Sequence, residues 1–317
     1  MSSESSQPLV SVCMIAYNQE AFIEESLVSA LEQNYERLEV VVADDASRDG
    51  TQKVIRRVAE RYGDRLRPLL SDVNVGITKN SNRALRACRG DFVAFQPGDD
   101  VFLPGKVQAQ VRWFQEDDRR TLCGHDVEVF DSATGRTTHL HSQATRMRQG
   151  SGPELLLRHG SPYVATSVMM RKSAIPSYGF DERIPRVSDY KLWIDCVKNG
   201  GAFGFLPEVL ARYRIHPGGI TKAASDACWV EEFMILAIME AENPELAGCC
   251  AAGRAHLYYR SGVSHLLAGE VSESRRQFKR ALQSDPLYSP RLPLWLMLSG
   301  MPEVVRSRIL ARRLSTS

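Results

Sequence analysis

Leu38-Glu39-Val40-Val41-Val42-Ala43-Asp44-Asp45-Ala46-Ser47-Arg48-Asp49-Gly50-Thr51 decides the fold. Leu38 to Ala43 is an apolar, β-branched run, the pattern of a strand buried on both faces. Two carboxylates end it, and a polar loop leads into a helix expected from Thr51 to Tyr62, with capping expected of Ser47 or Asp49. Gln96-Pro97-Gly98-Asp99-Asp100-Val101-Phe102-Leu103-Pro104 repeats the arrangement, a carboxylate pair just beyond the strand expected from Asp91 to Gln96. In open α/β sheets ligands bind beyond the carboxyl ends of the strands. Two acidic pairs at such ends suit a divalent cation and nucleotide hydroxyls.

The chain reads outward from these stretches as strands alternating with helices. Val10 to Ala16 is a buried strand, followed by a turn at Tyr17-Asn18-Gln19-Glu20 and a helix from Ala21 to Gln33. Arg67 to Ser71 forms a third strand, and Ile77 to Cys88 a helix after the turn at Asn74-Val75-Gly76. Lys106 to Glu116 is helical, Thr121 to Phe130 strand-like, and Thr134-Gly135-Arg136 a turn. The stretch from His139 to Gly152 is too polar for a core, and a mobile loop is expected there. Glu154 to His159 is helical, Val164 to Arg171 strand-like, Ser188 to Asn199 an amphipathic helix, and Val209 to His216 a strand. The alternation indicates βαβ units in a mainly parallel sheet with helices on both faces.

Beyond about Thr221 only helices are expected: Trp229 to Glu242, Ala251 to Ala268 and Val271 to Ser284. The expected division is therefore 1–222 and 223–317. Hydrophobic residues make up 43% of the 317 and charged residues 25%, as in a folded soluble protein, and a net charge of +2 argues against a nucleic-acid partner. Seven cysteines include no Cys-x-x-Cys pair, which points to reduced, mostly buried thiols. Met1 to Pro8 lacks the signal-peptide pattern, and no apolar run approaches the roughly 20 residues that span a bilayer. A cytoplasmic protein is expected, with peripheral contact at the inner face of the plasma membrane left open.

Six segments in order resemble family 2 glycosyltransferases with the GT-A-type, Rossmann-like nucleotide-sugar-binding fold. They are Val10 to Asn18, Val41 to Thr51, Asn74 to Asn82, Gly90-Asp91-Phe92-Val93-Ala94-Phe95 leading to Asp99-Asp100, Ser188-Asp189-Tyr190-Lys191-Leu192-Trp193, and Tyr213-Arg214-Ile215-His216. The resemblance covers about Pro8 to Lys222. Two departures stand out: Pro97 replaces a carboxylate common in the metal motif, and Ser188 replaces a Glu common before Asp189.

The resemblance implies an inverting, metal-dependent transfer of a sugar from a UDP- or dTDP-sugar to a hydroxyl, with a role in bacterial surface polysaccharide biosynthesis. It implies nucleotide-sugar contacts from Ala16, Tyr17, Asn18, Asp44, Asp45, Asn74, Gly76, Asn80 and Asp99. Asp45 is favoured as acceptor of the base N–H, with Tyr17 packing on the ring. It implies Mn²⁺ or Mg²⁺ held by Asp100, Asp99 and His216, since these ions take oxygen ligands and complete their shells with phosphate. Asp189 is implied as the base that takes the acceptor proton. The acceptor, a glycan or lipid-linked glycan, is expected between Asp189 and the loop from His139 to Gly152, near Tyr163 and Thr166.

Each assignment has a plainer counterpart. Asp44 or Asp45 could cap a helix, Pro-Gly-Asp-Asp could be a solvated turn, and Asp189 could complement a helix dipole. His139 and His141 have metal-like spacing but read better as a solvated loop. Lys79, Arg83 and Arg86 lie near the glycine turn, and Arg214 or Lys222 could add positive charge near the diphosphate. Ala255 to Asp285 resembles one tetratricopeptide helix pair, which must stack on something, whether its own chain, a second copy or a partner. Leu292-Pro293-Leu294-Trp295-Leu296-Met297-Leu298 with Arg306, Arg308, Arg312 and Arg313 suits a membrane interface or packing on the preceding helices. The rival readings are a nucleotidyltransferase, which lacks its glycine-rich basic loop after the first strand, and a catalytically silent nucleotide-binding scaffold recruiting partners through its helical tail.

Overall fold

A computed structural model describes residues 7–219 and 225–301. The chain forms two compact units. The first runs to Pro153 and resumes at Ser161–Glu231; the second joins Glu154–Gly160 to the chain from Glu232 onward. The expected boundary at Lys222 lies outside the described residues, as do Arg306, Arg308, Arg312 and Arg313.

In the first unit, β1 (Val10–Ala16), β2 (Leu38–Asp44), β3 (Leu66–Leu70) and β4 (Phe92–Pro97) are parallel. Helices α1 (Ile23–Leu31), α2 (Thr51–Tyr62) and α3 (Ile77–Ala87) join them. Val10 pairs with both Leu38 and Phe92, so Ile15 lies level with Ala43 and Pro97. The ends of three strands therefore meet at one edge, and the chain leaves that edge at Tyr17, Asp45 and Gly98. Val10, Val12, Met14, Val40 and Val42 are wholly buried with Ile23 and Leu27 of α1, as their apolar runs require.

The rest of the sheet is mixed. After the short β5 (Val101–Phe102) and helix α4 (Lys106–Gln115) come β6 (Arg120–Asp131) and β7 (Thr137–Leu140). Helix α5 (His141–Ala144), β8 (Gly150–Ser151), β9 (Met169–Arg171), α7 (Ser188–Val197) and β10 (Ala202–Ile215) complete the unit. The order is β3-β2-β1-β4-β9-β6-β10-β5, with β7 on β6 and β8 on β10. The mixed, mainly parallel sheet matches expectation. Two local expectations do not hold. Val164 to Arg171 is half 3₁₀ turn, with only its last three residues in a strand. The stretch from His139 to Gly152 is ordered by distant partners: the Asp126 carboxylate accepts from Ser142 N at 3.0 Å and Ser142 Oγ at 2.5 Å. Tyr163 Oη donates to the Arg148 carbonyl at 2.6 Å. Polar composition could not reveal anchors supplied from elsewhere in the chain.

In the second unit, α6 (Glu154–His159) joins α8 (Ser225–Glu242, from Glu232 onward), α9 (Ala247–Leu267), α10 (Val271–Ser284) and α11 (Leu292–Ser299). Leu266, Phe278, Ala281 and Leu292 form a buried cluster against which Trp295 packs. Gly269, at φ 83°, makes the left-handed turn from α9 to α10. The α9–α10 pair corresponds to the tetratricopeptide-like stretch. Part of what stacks on it is an element far away in sequence: the Leu157 carbonyl of α6 lies where Gly253 of α9 has no side chain.

Gly90 sits where a Cβ would lie 2.6 Å from Ser11 N and 2.8 Å from the Leu9 and Phe92 carbonyls. These are backbone atoms of the central strands and cannot swing aside. Gly90→Ala is expected to destabilise the protein by about 1–3 kcal/mol, read as a lowered midpoint in urea unfolding.

Candidate active site

The loops that follow β1, β2 and β3 hold one another through buried carboxylates. Asp44, wholly buried, accepts from Ser47 N at 3.0 Å, from Gln52 Nε2 at 2.7 Å and from Ser47 Oγ. Asp45 donates its N–H to the Ala16 carbonyl at 3.0 Å, tying β2 to β1. Its carboxylate accepts Val75 N at 2.8 Å and Gly76 N at 2.9 Å, while Asn74 Nδ2 donates to its carbonyl at 2.9 Å. Gly76, at φ 86°, makes this turn into α3. A carboxylate on the free N–H groups before a helix satisfies donors that have no partner in the helix. Asn80 Nδ2 donates to the Ala43 carbonyl at 2.8 Å, so it braces the loop from below.

Tyr17 stands 44% exposed at the end of β1. Asn18 is left-handed (φ 52°); its N–H donates to Ser47 Oγ at 2.8 Å and its Oδ1 accepts Arg48 N at 2.8 Å. Ala46 is also left-handed (φ 61°). Non-glycine residues in this conformation cost about 1 kcal/mol or more and cluster at ligand sites. Asp49 gathers Thr51 N at 3.0 Å and Thr51 Oγ1 at 2.5 Å at the start of α2.

The second carboxylate pair lies beyond β4. Gly98 N donates to the Ile15 carbonyl at 2.9 Å. Asp100 Oδ1 accepts Arg214 N at 2.9 Å, and Arg214 Nε donates to the Asp99 carbonyl at 2.7 Å. The Arg214 guanidinium lies between Phe22 and Phe130, 4.7 and 4.6 Å from their centroids, and reaches Glu25 Oε2 at 2.5 Å. Arg214 is thus a buried strut for the acidic turn. His216 Nε2 lies 2.9 Å from Asp99 Oδ2. Burial first, then the Asp99 charge, holds the Asp100 carboxyl well above the ordinary carboxylate range.

The donor set fits a divalent cation with help from a ligand. Asp100 Oδ2 is buried and accepts no hydrogen bond from the described residues, a costly state that a hard cation would relieve. Among the described residues no three His, Cys, Asp or Glu side chains converge as a metal cluster. An ion at Asp99 or Asp100 would therefore take most of its ligands from phosphate or water oxygens.

Asp189 is the second residue of α7. Leu192 and Trp193 are wholly buried, and the Trp193 ring meets Phe95 of β4 at 5.1 Å. Lys191 Nζ pairs with Asp195 inside the protein at 2.7 Å. This helix is rigidly seated. The Asp189 side chain stays partly accessible while protein crowds it, and that burial raises its carboxyl to about 6 against the pull of the Tyr190 and Asp189 N–H groups.

Several residues expected near ligand are structural. Arg83 donates to Asn80 Oδ1 at 2.8 Å and the Leu69 carbonyl at 3.3 Å, and Arg86 pairs with Glu182 at 3.7 Å. Lys79 is exposed. Tyr163 and Thr166 are buried rather than lining a surface, the Tyr163 ring filling the space beside Gly124. His141 Nε2 lies 3.0 Å from the Pro162 carbonyl and His139 Nδ1 3.0 Å from Thr138 Oγ1, so the two do not form a site together. The roles of Glu25, Phe22 and Phe130 escaped the sequence reading; no local motif marks them, because their partners Arg214, His216 and Arg212 are supplied by β10 and the residue that follows it.

Residues 11–179 match the family model described as glycosyl transferase family 2. The chain belongs to that family. Its catalytic unit is a glycosyltransferase, with the GT-A-type fold of the structures it resembles. It is 31% identical over 214 residues to EpsE of Bacillus subtilis (strain 168), covering 66% of this chain and 74% of EpsE. It is 34% identical over 220 residues to Rv1520 of Mycobacterium tuberculosis, covering 68% of this chain but only 61% of that protein. S. aureus TarS 1-349 in complex with UDP-GlcNAc superposes with a TM-score of 0.66 at 17% identity, over 92% of this chain and 84% of that one. The mannosyltransferase PcManGT from Pyrobaculum calidifontis, with GDP-Man and Mn²⁺, superposes at 0.62 and 18% identity, over 93% and 85%. No disulfide joins any of the seven cysteines, and among the described residues no helix is long and apolar enough to cross a membrane.

Ala46→Gly removes the steric cost of the left-handed backbone. It is expected to raise stability by about 0.5–1 kcal/mol in urea unfolding, with nucleotide affinity unchanged.

Proposed function

We propose that the enzyme moves a sugar from a UDP- or dTDP-sugar to a hydroxyl with inversion, assisted by Mn²⁺ or Mg²⁺. The observation that carries this reading is the acidic corner itself: an Asp100 oxygen without a partner among the described residues, beside the Asp99–His216 pair. It lies at the same strand ends as Asp45 and Tyr17, whose strands are in register. TarS and PcManGT, solved in complex with nucleotide sugars, lend support through the shared fold.

Each Asp45 oxygen accepts one backbone N–H, and a carboxylate has about four acceptor sites. It can therefore also accept the ring N–H of uracil or thymine, with Tyr17 against the base face. Ala16, Asn18, Asp44, Asn74, Gly76 and Asn80 shape that pocket through the hydrogen bonds described above. Asp99, Asp100 and His216 would hold the ion, which when bound offsets charge on the departing diphosphate. Asp189 takes the proton from the acceptor hydroxyl while the acceptor oxygen bonds to the anomeric carbon and the bond from that carbon to the diphosphate breaks. With a pKa of about 6, Asp189 is mostly ionised at neutral pH and strong enough as a base to help. The acceptor is proposed to be a growing bacterial surface glycan, on the strength of the family resemblance, with the transfer on the cytoplasmic side of the membrane.

Two experiments test this. Asp189→Asn is expected to abolish transfer while UDP binds as before; wild-type turnover in that variant would remove the base assignment. The base must be ionised, so wild-type kcat should rise with pH through about 6 and level off above it, measured as nucleotide release. In a thermal-shift panel of UDP, dTDP, GDP, CDP and ADP, a Mn²⁺-dependent rise is expected with UDP or dTDP. A rise with GDP alone would overturn the pyrimidine donor, and no rise with any would overturn the donor site.

A further inference from the structure

Glu231 lies on α8, in a stretch that reads from sequence as part of the helical extension, yet it belongs to the catalytic unit. Glu231 is 4% exposed. Oε2 accepts Arg186 N at 2.8 Å and Val187 N at 3.0 Å, and Oε1 accepts an Arg186 Nη at 3.1 Å. A carboxylate withdrawn from water this far is stable only with such donors around it. The sugar transfer described above gives it no task.

The two peptide groups it grips directly precede α7, whose second residue is Asp189. The same segment is held from the other side by Thr78 of α3. Thr78 Oγ1 donates to the Ile184 carbonyl at 2.7 Å and lies 2.9 Å from Ser188 Oγ. Thr78 sits in the first turn of α3, two residues beyond the Gly76 N–H that Asp45 binds. The backbone entering the base helix is thus clamped between a helix rooted at the nucleotide side and the Glu231 carboxylate.

We propose that Glu231 is a positioning residue for Asp189, holding the Arg186 and Val187 peptide groups so that the base faces the acceptor hydroxyl. The proposal rests on the assignment of Asp189 as base. The first N–H groups of a helix have no partners within it, so this end frays unless something outside holds it. Loss of the clamp lets the first turn of α7 rotate and admits water to Asp189. Displacing a reacting group by about 1 Å can cost roughly 100-fold in rate. Better hydration also lowers a carboxyl that burial has raised.

The test compares full-length wild type, Glu231→Gln and Glu231→Ala. Folding is followed by circular dichroism and thermal midpoint, UDP affinity by titration with Mn²⁺, and turnover as UDP or dTDP released from UDP-GlcNAc, UDP-glucose and dTDP-glucose with water as acceptor. The expected result is kcat down roughly 10–100-fold in Glu231→Ala, with a smaller loss in Glu231→Gln, whose amide oxygen can still accept an N–H. UDP affinity and donor KM should stay within about twofold of wild type, and the acid limb of the pH profile should move to lower pH. If Glu231→Ala does not fold, Glu231→Gln decides. A folded variant with wild-type kcat and an unmoved acid limb overturns the proposal, as does a kcat loss matched by an equal loss of UDP affinity. A wild type that releases no nucleotide from any of these donors overturns the parent reading and this one with it.

Discussion

The parallel register of β1 with its two neighbours is the constraint from which the cleft follows. Val10 opposite both Leu38 and Phe92 makes Ile15, Ala43 and Pro97 level. A slip of one residue would turn every side chain of β1 to the opposite face, burying Ile15 in place of Met14 and carrying Tyr17 away from Asp45. The register is secured by apolar burial on both faces and by polar ties at the ends. At the start of the strands, Glu39 accepts Ser11 Oγ at 2.6 Å and Arg89 N at 2.6 Å. At the finish, the Asp45 and Gly98 N–H groups bind the Ala16 and Ile15 carbonyls.

The site is built mainly from carboxylates that serve the backbone. Asp44, Asp45, Asp49 and Glu231 each accept main-chain N–H groups from loops or helix starts. Each thereby converts a flexible connection into a defined one, which a ligand site on loops requires. Asp100 differs. One of its oxygens is committed to Arg214 N and the other to nothing among the described residues. This asymmetry separates a carboxylate that holds the fold from one left with unused capacity.

Much of the first unit was legible because its physics is local. Val10 to Ala16 and Leu38 to Ala43 declare buried strands by unbroken apolar composition, and Thr51 to Tyr62 declares a helix by its apolar stripe. The acidic pairs and Asp189 were visible as carboxylates at element ends. The order in His139 to Gly152 was not visible, since it rests on Asp126 and on Tyr163 reaching the Arg148 carbonyl. Nor was the burial of Thr166, a polar residue in a turn.

The sequence by itself determined which segments are strands and helices, where carboxylates follow them, and which family the chain resembles. These properties depend on side-chain periodicity within ten or so residues. Only the tertiary structure decided the partners: Arg214 with Asp100, His216 with Asp99, Thr78 and Glu231 with the segment before Asp189. Those contacts join residues as much as 117 positions apart. They exist because strand register and helix packing bring the groups together, and no local pattern encodes that.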